Sequence, residues 1–180
     1  MKNRSLPVIV LFFLIISPCL LAQKIDIQVG TKATEWKFLD ADKNPFTMDT
    51  WKGMVLQINY VDPDESDLND EFNDLIKIAI DVDSIISRDD FKGFGIVDCA
   101  STWKPDFLVR AIAGKKAKKF ETTILFDYDA VLRNQWNLAK DSYNVIIVDK
   151  NRICRAVYRG KITTSESQEI IDLIVKLTKE

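Results

Sequence analysis

The feature that most constrains the fold is an apolar run, Val55–Val61, interrupted only by Gln57 and Asn59. Such a run is typical of a central strand covered on both faces. Asp62-Pro63 ends it, and apolar residues then recur at alternating steps of four and three, as on one face of a helix. These residues are Leu68, Phe72, Leu75, Ala79, Val82 and Ile86. The stretch therefore predicts a buried strand followed by a helix that lies on the same sheet.

The junction between this strand and this helix is acidic and contains no cysteine. It carries Asp62, Asp64, Glu65 and Asp67. Acids in this place can cap a helix and complement its dipole. Asp62-x-Asp64-x-Ser66 also begins like a calcium loop, but Asp67 replaces the required glycine and Asn73 stands where the bidentate glutamate belongs. The pattern favours a helix cap over a metal site.

The rest of the chain alternates between strand and helix patterns. The predicted elements are a hairpin around residues 36–48, strands at 94–99, 122–126, 145–148 and 153–158, and helices after Pro105, at 131–136 and after Thr163. Phe107, Leu108 and Ile112 are expected to face inward, and Thr163 with Glu166 forms a capping box. This order predicts an α/β protein with a mixed sheet and helices on both faces.

Four lysines gather near the end of the helix after Pro105. They are Lys115, Lys116, Lys118 and Lys119. Cations at this end complement the helix dipole and keep the surface soluble. The alternative is an anion-binding or membrane-surface patch. The first interpretation is favoured.

The N-terminal residues have the layout of a secretory signal. Lys2 and Arg4 precede the apolar run Pro7–Leu21, and Ala22 offers a small residue for cleavage. We therefore expect a signal peptide at 1–22, a single domain at 23–180, and a periplasmic or secreted protein. One alternative is a retained membrane anchor; another is a lipoprotein modified at Cys19, which Pro18 disfavours.

Composition excludes several kinds of site. The chain has no histidine, so Ser-His-Asp, Cys-His and His-ligated zinc sites are excluded. Signal cleavage would leave Cys99 and Cys154, too few thiolates for an all-cysteine zinc site. The net charge is −2 before two N-terminal cations are lost, which argues against a nucleic-acid partner. We expect no cofactor, no metal and no membrane attachment after cleavage.

Four segments carry a family resemblance. GTKATEWKFLDADKNPFTMDTWKGMVLQINYV resembles the opening of the peroxiredoxin and membrane-tethered branches of the thioredoxin-like superfamily. The other segments are similar to the YtfJ-like family of exported bacterial proteins. In chain order they are VRAIAGKKAKKF, ILFDYDAVLRNQWNL and SYNVIIVDKNRICRAVYRGKIT. The resemblance implies a thioredoxin-like three-layer sandwich with an extra N-terminal β-hairpin.

The departures from that superfamily concern its redox site. The superfamily's Cys-x-x-Cys places a thiol at a helix N-terminus, where the dipole lowers its pKa. In this chain the resemblance places Asp64 and Asp67 at those two positions, and no peroxidatic cysteine follows Pro63. Ser142-Tyr143-Asn144 stands where the superfamily has a cis-proline, and a cis bond without proline is very costly.

Two functions follow as hypotheses. The first is a non-enzymatic binding or folding-support module that holds a peptide or protein segment in a groove formed by Asp62, Asp64, Asp67, Tyr143 and Asn144. The second is a thiol-dependent oxidoreductase or peroxidase-like enzyme that uses Cys99, at the carboxyl edge of a strand. Against the second, Cys99 has no histidine or paired cysteine to activate it and is more simply a small buried residue.

Overall fold

A computed structural model describes residues 26–180, so the predicted signal peptide 1–22 and Cys19 lie outside the described residues. The strands are β1 Lys37–Asp40, β2 Pro45–Thr47, β3 Val55–Val61, β4 Phe91–Asp98, β5 Thr123–Asp127, β6 Tyr143–Val148 and β7 Cys154–Arg159. The helices are α1 Asp70–Asp81, α2 Asp106–Phe120, α3 Val131–Trp136 and α4 Thr164–Thr178. No helix within 26–180 is both long and apolar enough to cross a membrane.

The seven strands form one mixed sheet in the order β2-β1-β5-β4-β3-β6-β7. Strands β5, β4 and β3 run parallel, and β6 and β7 return antiparallel on one side. The β1–β2 hairpin extends the other side through β5. The predicted mixed sheet and the extra N-terminal hairpin are confirmed, and β3 has the bounds of the apolar run.

Side-chain alternation along the strands divides the core in two. On one face, α1 and α4 pack against β3 and β6 through Phe72, Ile76, Ile170, Ile174 and Val145. On the other face, α3, the hairpin and the chain before it cover a second core that includes Ile58, Phe94, Leu132 and Trp136. α2 lies on the first face beside α1, so helices cover both faces as predicted.

The ends of two helices test the sequence patterns locally. α4 begins with the predicted capping box, in which Thr163 Oγ1 accepts from the Glu166 N–H and the Glu166 carboxylate accepts from the Thr163 N–H. α1 differs from the prediction because it begins only at Asp70 and ends at Asp81. Its buried face is Phe72, Ile76 and Ala79, which leaves the predicted inner residues Leu75 and Val82 exposed.

Candidate functional site

The carboxyl ends of β3, β4 and β5 meet at one edge of the sheet. Val61 lies opposite Val97, and Asp98 lies opposite Asp127. Three loops therefore converge there: the acidic turn, defined as Asp62–Asp67, the β4–α2 loop and the β5–α3 loop. Open α/β sheets place their sites at this edge.

The acidic turn closes on itself and does not cap α1. Asp62 Oδ1 accepts from the Asp64 N–H at 2.7 Å and caps a single 3-10 turn, Pro63–Glu65. The prediction that Asp64, Glu65, Ser66 and Asp67 supply the N-cap and first-turn acids of the long helix is therefore wrong, since its first-turn acids are Asp70 and Glu71. Asn69 occupies the N-cap, and its amide instead holds the β7–α4 connection, donating to Gly160 O and accepting from the Ile162 N–H.

The carboxylates of the acidic turn are paired with groups from the next loop and helix. Asp64 accepts from Thr102 Oγ1 at 2.9 Å and forms an ion pair with Lys104. Asp67 is highly exposed and forms an ion pair with Lys116 of α2 at 2.6 Å. Of the four lysines near the end of α2, Lys116 thus contacts the acidic turn, and Lys116 and Lys119 contact α1. These contacts tie the turn to the β4–α2 loop and to α2.

The structure does not bring Tyr143 and Asn144 to the surface of this turn. Both are buried, on opposite faces of β6. The Asn144 amide is bonded to the backbone N–H and C=O of Ala139, and the Tyr143 hydroxyl accepts from Asn73 Nδ2 at 3.0 Å. Only the backbone of this segment reaches the turn, where Ser142 O accepts from the Asp62 N–H. The predicted groove of five side chains is therefore not assembled.

Cys99 lies beneath the start of α2 in a short 3-10 turn, packed with Val97, Ile124 and the buried residues of α2. Burial raises the pKa of its thiol to about 12, and the nearby carboxylates of Asp106, Asp127 and Asp98 add to the shift. Reactive cysteines occupy electropositive surroundings that lower the pKa. Both Cys99 and Cys154 are free thiols, and burial raises the pKa of Cys154 to about 11.

Two aspartates at the strand ends form a buried charged cluster that the sequence patterns did not single out. Asp98 forms an ion pair with Arg133, but its Oδ1 has no partner among the described residues, and burial raises its pKa despite Arg133. Asp127 accepts from the Tyr60 hydroxyl at 3.0 Å and from two backbone N–H groups of α3. The available signal was that β4 and β5 each end in aspartate after an apolar run.

The same edge exposes three aromatic side chains, Trp103, Phe107 and Tyr128, called the aromatic patch below. Trp103 is 88% exposed and Phe107 is 75% exposed. The prediction that Phe107 and Leu108 face inward is wrong, because α2 turns Val109 and Ala113 to the sheet instead. The Tyr128 hydroxyl donates to Asp106 and accepts from Arg110, so the β5–α3 loop that carries Tyr128 is held to the first turns of α2.

The positions of the calcium-loop pattern make other contacts in the structure. Within residues 26–180, no group of three or more cysteine or acidic side chains is arranged to hold a metal ion. Asn73, at the last position of the calcium-loop pattern, accepts from Gln57 Nε2 inside the protein. The aspartates of the turn act as a cap and as ion-pair partners.

Comparisons with known proteins place this geometry in context. The profile of a family described as "Bacterial protein of unknown function (YtfJ_HI0045)" matches residues 32–177. No curated protein matches the chain. Solved structures with the same fold include DsbE from Chlorobium tepidum, a thiol:disulfide interchange protein, at TM-score 0.59 and 11% identity, covering 85% of this chain and 99% of that one.

Two further structures agree. The thioredoxin domain of a thiol-disulfide oxidoreductase from Bacteroides vulgatus has TM-score 0.59 and 14% identity, over 83% of this chain and 99% of that chain. A peroxiredoxin-like protein from Aquifex aeolicus has TM-score 0.58 and 13% identity, over 84% and 88%. The fold is thioredoxin-like, and identities this low show the fold alone.

Proposed function

The chain belongs to the bacterial YtfJ_HI0045 family, whose function is unknown, and we propose that it is an exported, thioredoxin-like binding protein. It holds a segment of a partner protein and does not exchange disulfides with it. The signal layout of residues 1–22 supports export. The partner would then be another protein of the cell envelope or the exterior.

The observation that carries this proposal is the exposure of Trp103 and Phe107 at the carboxyl edge of the sheet. Large aromatic side chains leave water favourably, and they are enriched where proteins bind other proteins. Trp103 lies next to the acidic turn, because its sequence neighbours Thr102 and Lys104 both bind Asp64. Phe107 follows in the first turn of α2. Apolar and charged surfaces are thus adjacent.

The charge of this edge indicates the chemistry of the partner segment. Of the four carboxylates in the acidic turn, Asp62 is buried, and Asp64 and Asp67 pair with Lys104 and Lys116. Glu65 has no cation partner among the described residues. A partner segment with an apolar or aromatic residue and flanking lysine or arginine would complement both surfaces. The binding surface is therefore the acidic turn with the aromatic patch, and it replaces the five-residue groove.

The alternative, an enzyme that uses Cys99, requires an accessible thiolate. Burial and three neighbouring carboxylates raise the pKa of this thiol instead. No second cysteine is paired with it among the described residues, since Cys154 is buried in the core on the opposite face of the sheet. These contacts weigh against disulfide exchange at Cys99.

The test is binding of residues 23–180 to an array of extended peptides that combine aromatic and basic residues. We expect Trp103→Ala with Phe107→Ala to weaken binding about ten-fold, as truncation of interface aromatics does. The control is Val82→Ala, which removes an exposed apolar side chain at the residue that follows α1. Cys99→Ala should bind like the unaltered protein.

The proposal is overturned if the double variant binds the peptides as well as the unaltered protein does. It is also overturned if the native protein reduces a disulfide substrate and Cys99→Ala abolishes that activity. The second result would establish the thiol enzyme.

A further inference from the structure

A cavity of about 250 Å³ lies beneath α1 and α2, on the face of the sheet formed by β3, β4 and β5. Its lining extends along β4 from Phe91 to Val97, a distance of roughly 20 Å at the usual rise per strand residue. One end lies at Pro63 and Ser66 in the acidic turn. The cavity is thus a long slot between two helices and the sheet.

Two glycines make room for this slot. Gly93 and Gly95 alternate along β4, so both present their missing side chains to the same face. The nearest neighbours of a Cβ built at Gly95 would be Ile124 at 3.5 Å and Asn59 O at 3.9 Å, and one built at Gly93 would meet the Phe91 ring at 3.6 Å. Neither glycine is required by backbone conformation or by crowding. Their effect is to leave space.

The two long walls of the slot differ in chemistry. The wall formed by α2 and β5 is mainly apolar, with Val109, Ile112, Ala113, Phe120 and Ile124 beside Lys116. The opposite wall, formed by β3, α1 and the start of β6, is mixed: it adds the polar side chains Gln57, Asn59, Asn73 and Tyr143 to the apolar Val61, Ile76 and Ile80. Ligand sites combine a mainly apolar lining with a few placed polar groups, and this slot has that composition.

The polar side chains of the opposite wall have unused hydrogen-bonding capacity. Gln57 Nε2 donates to Asn59 Oδ1 at 3.1 Å and to Asn73 Oδ1 at 3.3 Å. Gln57 Oε1 is buried and has no partner among the described residues, although Gln57 as a whole is 1% exposed. Buried polar groups are nearly always bonded, and an orphan carbonyl oxygen calls for a donor. The Tyr143 hydroxyl, which accepts from Asn73, retains a proton to donate.

Lys92 directs its ammonium away from the slot, over the Trp51 ring on the other face of the sheet. The remaining charges at the rim of the slot are paired. Lys116 bridges Asp67 and Asp70, and Lys77 bridges Asp81 and Glu121. A charged ligand would have to break one of these pairs or remain unpaired at a low-dielectric site. An uncharged ligand faces neither penalty.

We propose that this slot binds a neutral, single-chain amphiphile, an alkyl or acyl chain with an uncharged head that both donates and accepts hydrogen bonds, such as a primary amide. The chain lies against the α2 wall, and the head donates to Gln57 Oε1. The elongated shape and the apolar wall favour an alkyl chain. The polar side chains of the opposite wall and the paired charges at the rim favour an uncharged, hydrogen-bonding head group. This site is separate from the aromatic patch.

The experiment uses residues 23–180 and the uncharged fluorescent probe N-phenyl-1-naphthylamine. We expect the probe to bind, and decanamide to displace it at about ten-fold lower concentration than decanoate of equal chain length, a difference of about 1.4 kcal/mol. Gly95→Val, which fills the slot, should abolish probe binding. Gly114→Val, on α2 with no neighbour within 4 Å of a built Cβ, is the matched control and should bind normally.

Two further variants test the contact with the head group and the independence of the slot from the aromatic patch. Gln57→Leu should still bind the probe but should lose the preference for decanamide. Trp103→Ala with Phe107→Ala should leave probe binding unchanged, so failure of the slot and failure of the peptide surface are distinguishable. The proposal is overturned if Gly95→Val is folded and still binds the probe, if the unaltered protein does not bind it, or if decanoate competes as well as decanamide.

Discussion

α2 and the α1–α4 pair cover the same face of the sheet but are held in different ways. α1 and α4 bury a continuous apolar core against β3 and β6, with Phe72, Ile170 and Ile174 almost inaccessible to solvent. α2 buries only Val109 and Ala113 and exposes Phe107. Apolar burial stabilises one region, whereas the other leaves a cavity between helix and sheet.

The connection between the two regions is electrostatic. Lys116 and Lys119 of α2 bind Asp70 of α1 at 2.5 Å and 3.0 Å. Further along α1, Lys77 binds Glu121, the C-cap residue of α2, at 2.7 Å. Ion pairs of this kind contribute little free energy compared with apolar burial. α2 should therefore open locally, without unfolding of the rest.

The largest expected difference between the regions comes from a matched pair of truncations. Val145→Ala in β6 removes two methyl groups from the α1–α4 core and should cost about 2–3 kcal/mol of unfolding free energy. Val109→Ala in α2 should cost about 1 kcal/mol or less, because the core there is small and alanine favours helix. Denaturant unfolding of both variants measures the difference.

The two native thiols show where each truncation acts. Cys99 packs with Val109 and Ala113, whereas Cys154 lies in the core on the other face. Val109→Ala should speed alkylation of Cys99 alone, and Val145→Ala should speed alkylation of both. Equal acceleration of both thiols by Val109→Ala would mean that α2 unfolds only with the whole domain.

The contrast between the regions also separates what the sequence could predict from what it could not. Elements with a clear apolar period were predicted closely: β3 and α3 have the predicted bounds, and Thr163 with Glu166 caps α4. α2 has no such period, since apolar residues are spread around its circumference. The inner face was therefore assigned to Phe107 and Leu108, although Val109 and Ala113 contact the sheet.

The candidate site was harder to predict than the fold because its contacts join distant parts of the chain. Sequence located the acidic turn at the strand end, but its partners Thr102 and Lys104 follow β4, about 40 residues later. Gln57 and Asn59 looked like interruptions of an apolar run. Only the fold shows that they lie beside Gly93 and Gly95 on the neighbouring strand and line the same cavity.

The next largest effect concerns the ion pairs of Asp70. Partial burial alone would raise the pKa of this carboxyl, but hydrogen bonds from Lys116 and Lys119 hold it below its usual value. The resulting stability is present above the unfolded pKa of about 3.9 and is lost as the pH falls through the lower folded pKa. Acid should therefore detach α2.

At neutral pH, Asp70→Asn should reproduce that detachment. We expect a loss of about 1 kcal/mol at most, seen as alkylation of Cys99 that is roughly five-fold faster, with Cys154 unaffected. Asp74→Asn is the control, because Asp74 is more exposed and contacts only Lys119 at 3.5 Å. Equal effects of the two variants would show that α2 is held by general charge and not by the pairs at Asp70.

Filling the cavity should strengthen the weaker region. Gly95→Ala adds a Cβ that meets Ile124 at ordinary contact distance, and it removes the entropic penalty of glycine in a strand. We expect a gain of about 0.5–1 kcal/mol in unfolding free energy. A loss of stability, measured by thermal and denaturant unfolding, would show that β4 needs glycine for its backbone and not for the slot.

The smallest stability effect should come from the aromatic patch. Phe107→Ser changes a side chain that is 75% exposed, so unfolding free energy should stay within about 0.5 kcal/mol. Peptide binding should nevertheless weaken, because an exposed ring that supports no core is available to a partner. A large loss of unfolding free energy would instead show that Phe107 helps to hold α2 to the sheet. Apolar burial would then stabilise α2 more nearly as it stabilises α1 and α4.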